Sequence, residues 1–286
     1  MSKIGIYYAY WTHDWDADFV PFTQKVADLG FDILEVNSGT VTNMANAERD
    51  RLRAAAEAAG VELTYCIGLG PEYDLASEDD TVRRAGIEFL KRQAEMIQHM
   101  GGTTLGGIIY SSWPGKLPMG ADKRPYVDRS VESMREAVKT AEDCGAVFNV
   151  EVVNRFEQYI MNDCAEAVAY CERVDSPNCK ILLDTFHMNI EEDSFRDAVL
   201  RAGDRLGHFH LGETNRKAPG RGRIPWDEIG GALREIGYGG AITMEPFVMP
   251  GGEVGRDISV YRDLREGLNL DEEARRACAF VREKLA

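Results

Sequence analysis

At 286 residues the chain is long enough for one (β/α) barrel or for two smaller domains. Its formal net charge of −15 excludes nucleic acid and anionic membrane surfaces as partners, because both demand a basic face. The six cysteines (Cys66, Cys144, Cys164, Cys171, Cys179 and Cys278) form no CxxC pair, which predicts reduced, mostly buried thiols in a cytoplasmic protein.

From Met1 the chain runs straight into a strand pattern, leaving no room for a signal peptide, and no apolar run approaches the ~20 residues of a membrane span. Residues 3–8 read as the first strand, and the acids between Asp14 and Asp18 offer N-cap chemistry for a helix whose Phe19, Phe22, Val26 and Leu29 share one face. Gly30 ends that helix. A second strand spans 32–37 and a second helix 47–59. The third strand spans 61–67, and a long helix follows from about Glu78, with Ile87, Leu90, Ala94 and Ile97 on one stripe. The fourth strand covers 104–110. A long loop through Trp113-Pro114-Gly115 leads to a helix with Val131, Met134, Val138 and Ala141 facing inward.

The second half repeats the alternation. Strands end near Glu151, Asp184, His210 and Glu245, and helices follow around 164–174, 194–202, at Ile229, Leu233 and Ile236, and finally at Ala274, Cys278, Val281 and Leu285. Eight strand–helix units imply parallel strands with right-handed crossovers, closed as a TIM barrel over a single domain, 1–286. An open doubly wound sheet would want a Gly-rich phosphate turn after the first strand, and none is present.

Four of these strands share one grammar, an apolar run broken by an acid or an imidazole. They are Val147-Phe148-Asn149-Val150-Glu151, Ile181-Leu182-Leu183-Asp184, His208-Phe209-His210-Leu211 and Ile242-Thr243-Met244-Glu245-Pro246. Runs this apolar suit strands buried on both faces. A buried carboxylate is costly unless it is paired or metal-bound, so the pattern asks for a cation at the carboxyl ends of the strands. Three carboxylates and one imidazole form an oxygen-rich set suited to Mn²⁺, Mg²⁺ or Co²⁺ rather than to a thiolate-loving metal. His208 points to the same barrel face as His210, two residues away, and reads as a hydrogen-bonded core histidine.

The chain resembles the ketose 3-epimerases, the family of D-tagatose 3-epimerase and D-allulose (D-psicose) 3-epimerase. The resemblance is carried by Gly5-Ile6-Tyr7-Tyr8-Ala9-Tyr10-Trp11, Glu151-Val152-Val153-Asn154-Arg155-Phe156-Glu157 and Leu183-Asp184-Thr185-Phe186-His187-Met188-Asn189. It continues in His208-Phe209-His210-Leu211-Gly212-Glu213-Thr214-Asn215-Arg216 and Met244-Glu245-Pro246-Phe247. It implies a sugar isomerase/epimerase barrel that holds Mn²⁺ or Co²⁺ through Glu151, Asp184, His210 and Glu245. It further implies that Glu157, His187 and Arg216 anchor the O1–O3 end of a free ketose, and that the assembly is a homodimer or homotetramer.

Inverting a carbon beside a carbonyl requires a proton to leave one face and another to arrive at the opposite face. Glu151 and Glu245, from the fifth and eighth strands, are the matched pair able to do this, and a divalent ion would stabilise the cis-enediolate between the two transfers. Tyr7, Trp15, Cys66, Trp113 and Phe247 are expected to wall the C4–C6 end. A mostly apolar wall discriminates weakly between hydroxyl epimers. That predicts relaxed specificity over D-fructose/D-allulose, D-tagatose/D-sorbose and L-ribulose, with the first pair preferred. The basic loop Arg216, Lys217, Arg221 and Arg223 keeps a sugar-phosphate isomerase or epimerase as the rival reading. With five histidines the chain is too poor in imidazole for a multi-zinc centre that cuts DNA at abasic sites.

Overall fold

The computed structural model describes residues 2–285; Met1 and Ala286, at the two ends of the predicted domain, lie outside them. Eight strands, β1 (Ile4–Tyr7), β2 (Ile33–Asn37), β3 (Glu62–Cys66), β4 (Thr104–Gly107), β5 (Val147–Val152), β6 (Cys179–Asp184), β7 (Leu206–Leu211) and β8 (Ala241–Met244), pair in sequence order. Every pairing is parallel, and the register Ile4↔Ile242 between β1 and β8 closes the barrel. Strands buried on both faces explain the near-continuous apolar runs.

The helices form the outer layer. They are α1 (Val20–Leu29), α2 (Ser38–Asn43), α3 (Asn46–Ala59), α4 (Asp80–His99), α5 (Arg124–Cys144), α6 (Cys164–Val174), α7 (Thr185–Glu191), α8 (Phe195–Ala202), α9 (Trp226–Glu235), α10 (Gly252–Asp257) and α11 (Leu270–Leu285). The predicted inward stripes of α4 and α5 are buried, as are those of α11. Among the described residues no helix is long and apolar enough to cross a membrane.

Departures from the sequence reading are local. The acids from Asp14 to Asp18 do not supply the N-cap of α1, because Phe19 occupies that position with its ring fully buried, 4.7 Å from Tyr8. Asp18 still helps, accepting the Val20 N–H at 3.2 Å. Two short helices went unpredicted, α2 and α7, and short α10 falls where terminal helices were expected without bounds. With six or seven residues each they are too short to show an apolar stripe. The fourth strand stops at Gly107 rather than at 110. Gly107 has φ +109°, and a Cβ there would stand 2.1 Å from the Ile67 carbonyl oxygen. Gly107→Ala is therefore expected to cost about 3 kcal/mol through strain and clash, read as a lowered thermal midpoint. Its neighbour Gly106 faces inward, where a Cβ would meet Leu182 at 2.7 Å and His208 at 3.4 Å.

Candidate metal and substrate site

Glu151 is the penultimate residue of β5, Asp184 the last of β6, His210 the penultimate of β7, and Glu245 follows β8 directly. The Glu245 backbone N–H donates to the Leu211 carbonyl at 2.9 Å, which extends the ladder by one residue and fixes the side chain at the barrel mouth. One donor atom from each of the four side chains lies within 4.8 Å of all the others, and all four residues are buried. Asp184 has two tasks. Its Oδ1 accepts the Phe186 N–H at 2.6 Å as the N-cap of α7, while Oδ2 accepts from Arg216 Nη1 at 3.0 Å.

The electrostatics of the cluster call for a cation. Burial, together with the Glu245 and Asp184 carboxylates, pushes the Glu151 carboxyl well above its usual range. Burial also opposes ionisation of Asp184, but the Arg216 guanidinium and the nearby imidazoles hold it below the ordinary value. His210 Nδ1 has no hydrogen-bond partner and sits 3.8 Å from Glu245 Oε2. An orphaned buried nitrogen facing three carboxylates fits a hard divalent ion with one imidazole ligand.

The three anchoring candidates sit around this cluster. His187 Nδ1 faces Asn154, whose side-chain amide nitrogen lies at 2.7 Å and whose backbone N–H donates at 3.3 Å. The Asn154 side-chain oxygen is taken by the Phe156 N–H and its amide also donates to Glu157, so it is the amide that meets Nδ1 and the His187 proton belongs on Nε2. Burial and then Arg216 lower the His187 pKa, keeping the ring neutral. Arg216 Nη2 lies 3.3 Å from that Nε2, two donors side by side with the acceptor left to a ligand. The guanidinium stacks on Phe186 at 4.2 Å and Phe247 at 5.2 Å, and Nη1 also donates to Glu245 Oε2 at 3.0 Å. Glu157 is opposed in ionising by burial, yet the Arg216 guanidinium and hydrogen bonds from Trp113 and Asn154 keep its carboxyl below the usual range. The Trp113 indole N–H donates to it at 3.0 Å.

Glu151, Glu245, Glu157, His187 and Arg216 line a cavity of about 450 Å³ at the carboxyl ends of the strands, whereas Asp184 and His210 are not among its lining residues. Tyr7, Trp15, Cys66, Trp113 and Phe247 all line the same cavity. Trp15 meets Trp113 edge-on at 6.4 Å and Phe247 at 6.2 Å, and Tyr7 meets Phe247 at 6.2 Å. Asp257 fixes Trp15 by accepting its indole N–H at 2.9 Å. In the rival phosphate loop Lys217 pairs with Glu266 at 2.7 Å and Arg221 with Glu273 at 2.6 Å, Arg216 is committed to the buried carboxylates, and Arg223 is exposed.

Besides Asp257, sequence reasoning missed four contributors. Ile108 lines the cavity beside the wall. Asn154 sets the His187 tautomer. Glu213 is buried and accepts from Gly220 N–H at 2.8 Å and Trp226 Nε1–H at 3.1 Å, and its carbonyl accepts the Arg216 N–H at 2.9 Å. It thereby holds the turn that presents Arg216 at φ +61°. Glu35, fully buried on β2, lies 2.7 Å from His208 and 2.7 Å from His210. The signal for Glu35 was available, because Ile33-Leu34-Glu35-Val36 is another apolar run broken by one acid.

A family model described as the xylose isomerase-like TIM barrel matches residues 23–283. D-psicose 3-epimerase of Agrobacterium fabrum is 47% identical over 283 residues, 98% of each chain. The enzyme of the same name from Ruminiclostridium cellulolyticum is 47% identical over 98% of this chain and 97% of its own. Among solved structures, D-psicose 3-epimerase of Clostridium cellulolyticum H10 with D-tagatose superposes with a TM-score of 0.97 at 46% identity, covering 99% of both chains. The chain belongs to the xylose isomerase-like TIM barrels. Within that class it falls among the ketose 3-epimerases.

Proposed function

We propose that the protein epimerises free ketoses at C3, interconverting D-fructose and D-allulose by preference and accepting D-tagatose, D-sorbose and L-ribulose. The observation that carries this reading is the division of labour within the acidic cluster. Glu151 and Glu245 reach the cavity from strands that are not neighbours, while Asp184 and His210 stay behind it. Two acids open to the same space can serve one carbon from two sides; two sealed groups can only hold.

The donor set fits one divalent ion, Mn²⁺ in our assignment with Co²⁺ or Mg²⁺ as substitutes, held by Glu151, Asp184, His210 and Glu245. When bound, such an ion supplies Lewis-acid stabilisation of negative charge on the ketose oxygens, worth several kcal/mol. The remaining steps belong to the chain. One glutamate removes the C3 proton, and the other returns a proton to the opposite face, their roles exchanging with the direction of reaction. The His187 Nε2–H and the free Arg216 N–H donate to the carbonyl oxygen at C2, steadying the charge that develops there. Glu157 accepts from a hydroxyl at the C1–C3 end. Trp15, Trp113 and Phe247 cover the C4–C6 end. By family resemblance the working form is a homodimer or homotetramer.

His187→Ala is expected to lower turnover by about 10²-fold, the cost of losing one preorganised donor, while Mn²⁺ stays bound. Loss of Mn²⁺ on that substitution would give His187 a different role. The reading as a whole is tested by stripping the enzyme of metal, restoring Mn²⁺ and resolving the products of a sugar panel by chromatography. D-Allulose from D-fructose is the expected product. Absence of D-allulose with Mn²⁺ present would overturn the reading, as would a strong preference for D-fructose 6-phosphate.

A further inference from the structure

Beneath the four donors lies a second polar layer that the proton transfers do not use. Glu35 and His208, within reach of the donor His210, are like it fully solvent-excluded. Glu35 Oε2 accepts the Thr64 hydroxyl at 2.8 Å and lies 2.7 Å from His208 Nε2. Its other oxygen, Oε1, lies 2.7 Å from His210 Nε2, with the N–H not aimed straight along the contact. One carboxylate thus bridges two imidazoles from β7 while a threonine from β3 anchors it.

The arrangement is costly unless it serves something. A carboxylate buried this deeply needs partners, and an apolar residue at position 35 would fill the same space with no such need. What the carboxylate adds is directional. It occupies the Nε2 side of His210, so the proton of the neutral ring belongs on Nε2 and the lone pair on Nδ1. Nδ1 is the atom that faces Glu245, at 3.8 Å from Oε2. A histidine whose far nitrogen donates to a carboxylate is fixed in tautomer and orientation and becomes a more basic ligand.

We propose that Glu35 is a positioning residue for the divalent-ion site, acting through His210, with Thr64 and His208 fixing the rotamer of its carboxylate. This rests on the reading of His210 as an ion ligand but not on the identity of the sugar. A direct measurement of ion binding therefore separates its failure from a failure of the epimerase reading. With an amide in place of the carboxylate, the side chain could accept from one imidazole only and would present its N–H₂ to the other.

The test is the Glu35→Gln variant, made metal-free and titrated with Mn²⁺ while free aqueous Mn²⁺ is followed by electron paramagnetic resonance. We expect a fold unchanged by circular dichroism, Mn²⁺ binding weakened about 10–100-fold, and a shifted visible spectrum for the Co²⁺-loaded protein. At saturating Mn²⁺ the KM for D-fructose should be unchanged, since Glu35 touches no substrate. Unaltered Mn²⁺ affinity and an unaltered Co²⁺ spectrum, with only a lower thermal midpoint, would reduce Glu35 to a packing role and overturn the proposal. Where Glu35→Gln does not accumulate as folded protein, Thr64→Val carries the test, because it deletes the anchoring hydrogen bond at nearly constant volume. Weaker Mn²⁺ binding in Thr64→Val supports the assignment, and unchanged binding overturns it.

Discussion

Glu245→Gln and Glu151→Gln are each expected to lower turnover by about 10²–10⁴-fold, the range supplied by a positioned general acid or base. The amide keeps the size of the side chain and an oxygen to offer a cation, but it cannot carry the proton. At position 245 the amide carbonyl can still accept from Arg216 Nη1, which now meets Oε2 at 3.0 Å, so the guanidinium need not move. At position 151 the amide likewise offers an oxygen to the cation but cannot take up or return the C3 proton. Each variant should retain one half of the chemistry. The glutamate left in place can exchange the C3 proton of whichever epimer turns that proton towards it, without inversion. Solvent-deuterium uptake by D-fructose alone in one variant, and by D-allulose alone in the other, is the expected signature. Retention of most turnover by either variant contradicts the two-acid scheme.

Asp184→Asn should have an effect of similar size by another route, loss of the ion. Oδ1 of Asp184 is pinned by the Phe186 N–H at 2.6 Å, so the asparagine must keep its carbonyl there. That places the amide N–H₂ where Oδ2 now meets Arg216 Nη1 at 3.0 Å, a donor set against a guanidinium and against the cation position. Removing one member of a buried ion pair in this way costs about 3–5 kcal/mol. The expected result is a lowered thermal midpoint and Mn²⁺ reduced to traces after gel filtration, with turnover lost in parallel. Stoichiometric Mn²⁺ in an inactive Asp184→Asn variant would move Asp184 out of the donor set.

Much of the fold was legible because a barrel strand buried on both faces cannot hide a charge. The acids at the ends of β5 and β6 stood out against Val, Leu and Ile, and the same held for Glu245. Glu35 obeyed the same rule but lies in the middle of a five-residue strand, where an acid looks like an interruption rather than a site. Its partners, His208 and His210, are more than 170 residues away in sequence, so only the closed barrel brings them together. The basic loop was ambiguous for a related reason. Arg216, Lys217 and Arg221 read alike in sequence, and their partners Asp184, Glu266 and Glu273 decide which one enters the site. Helix α7 was invisible because seven residues carry no periodicity, and because the residue that caps it was already read as a metal ligand.

Proton exchange with solvent at C3 is the most direct test of the account. With Mn²⁺ present in D₂O, each molecule of D-allulose formed from D-fructose should carry deuterium at C3, since the proton returned to the far face comes from a glutamate in equilibrium with solvent. D-Allulose that keeps the original C3 proton through inversion would contradict the passage of protons through Glu151 and Glu245.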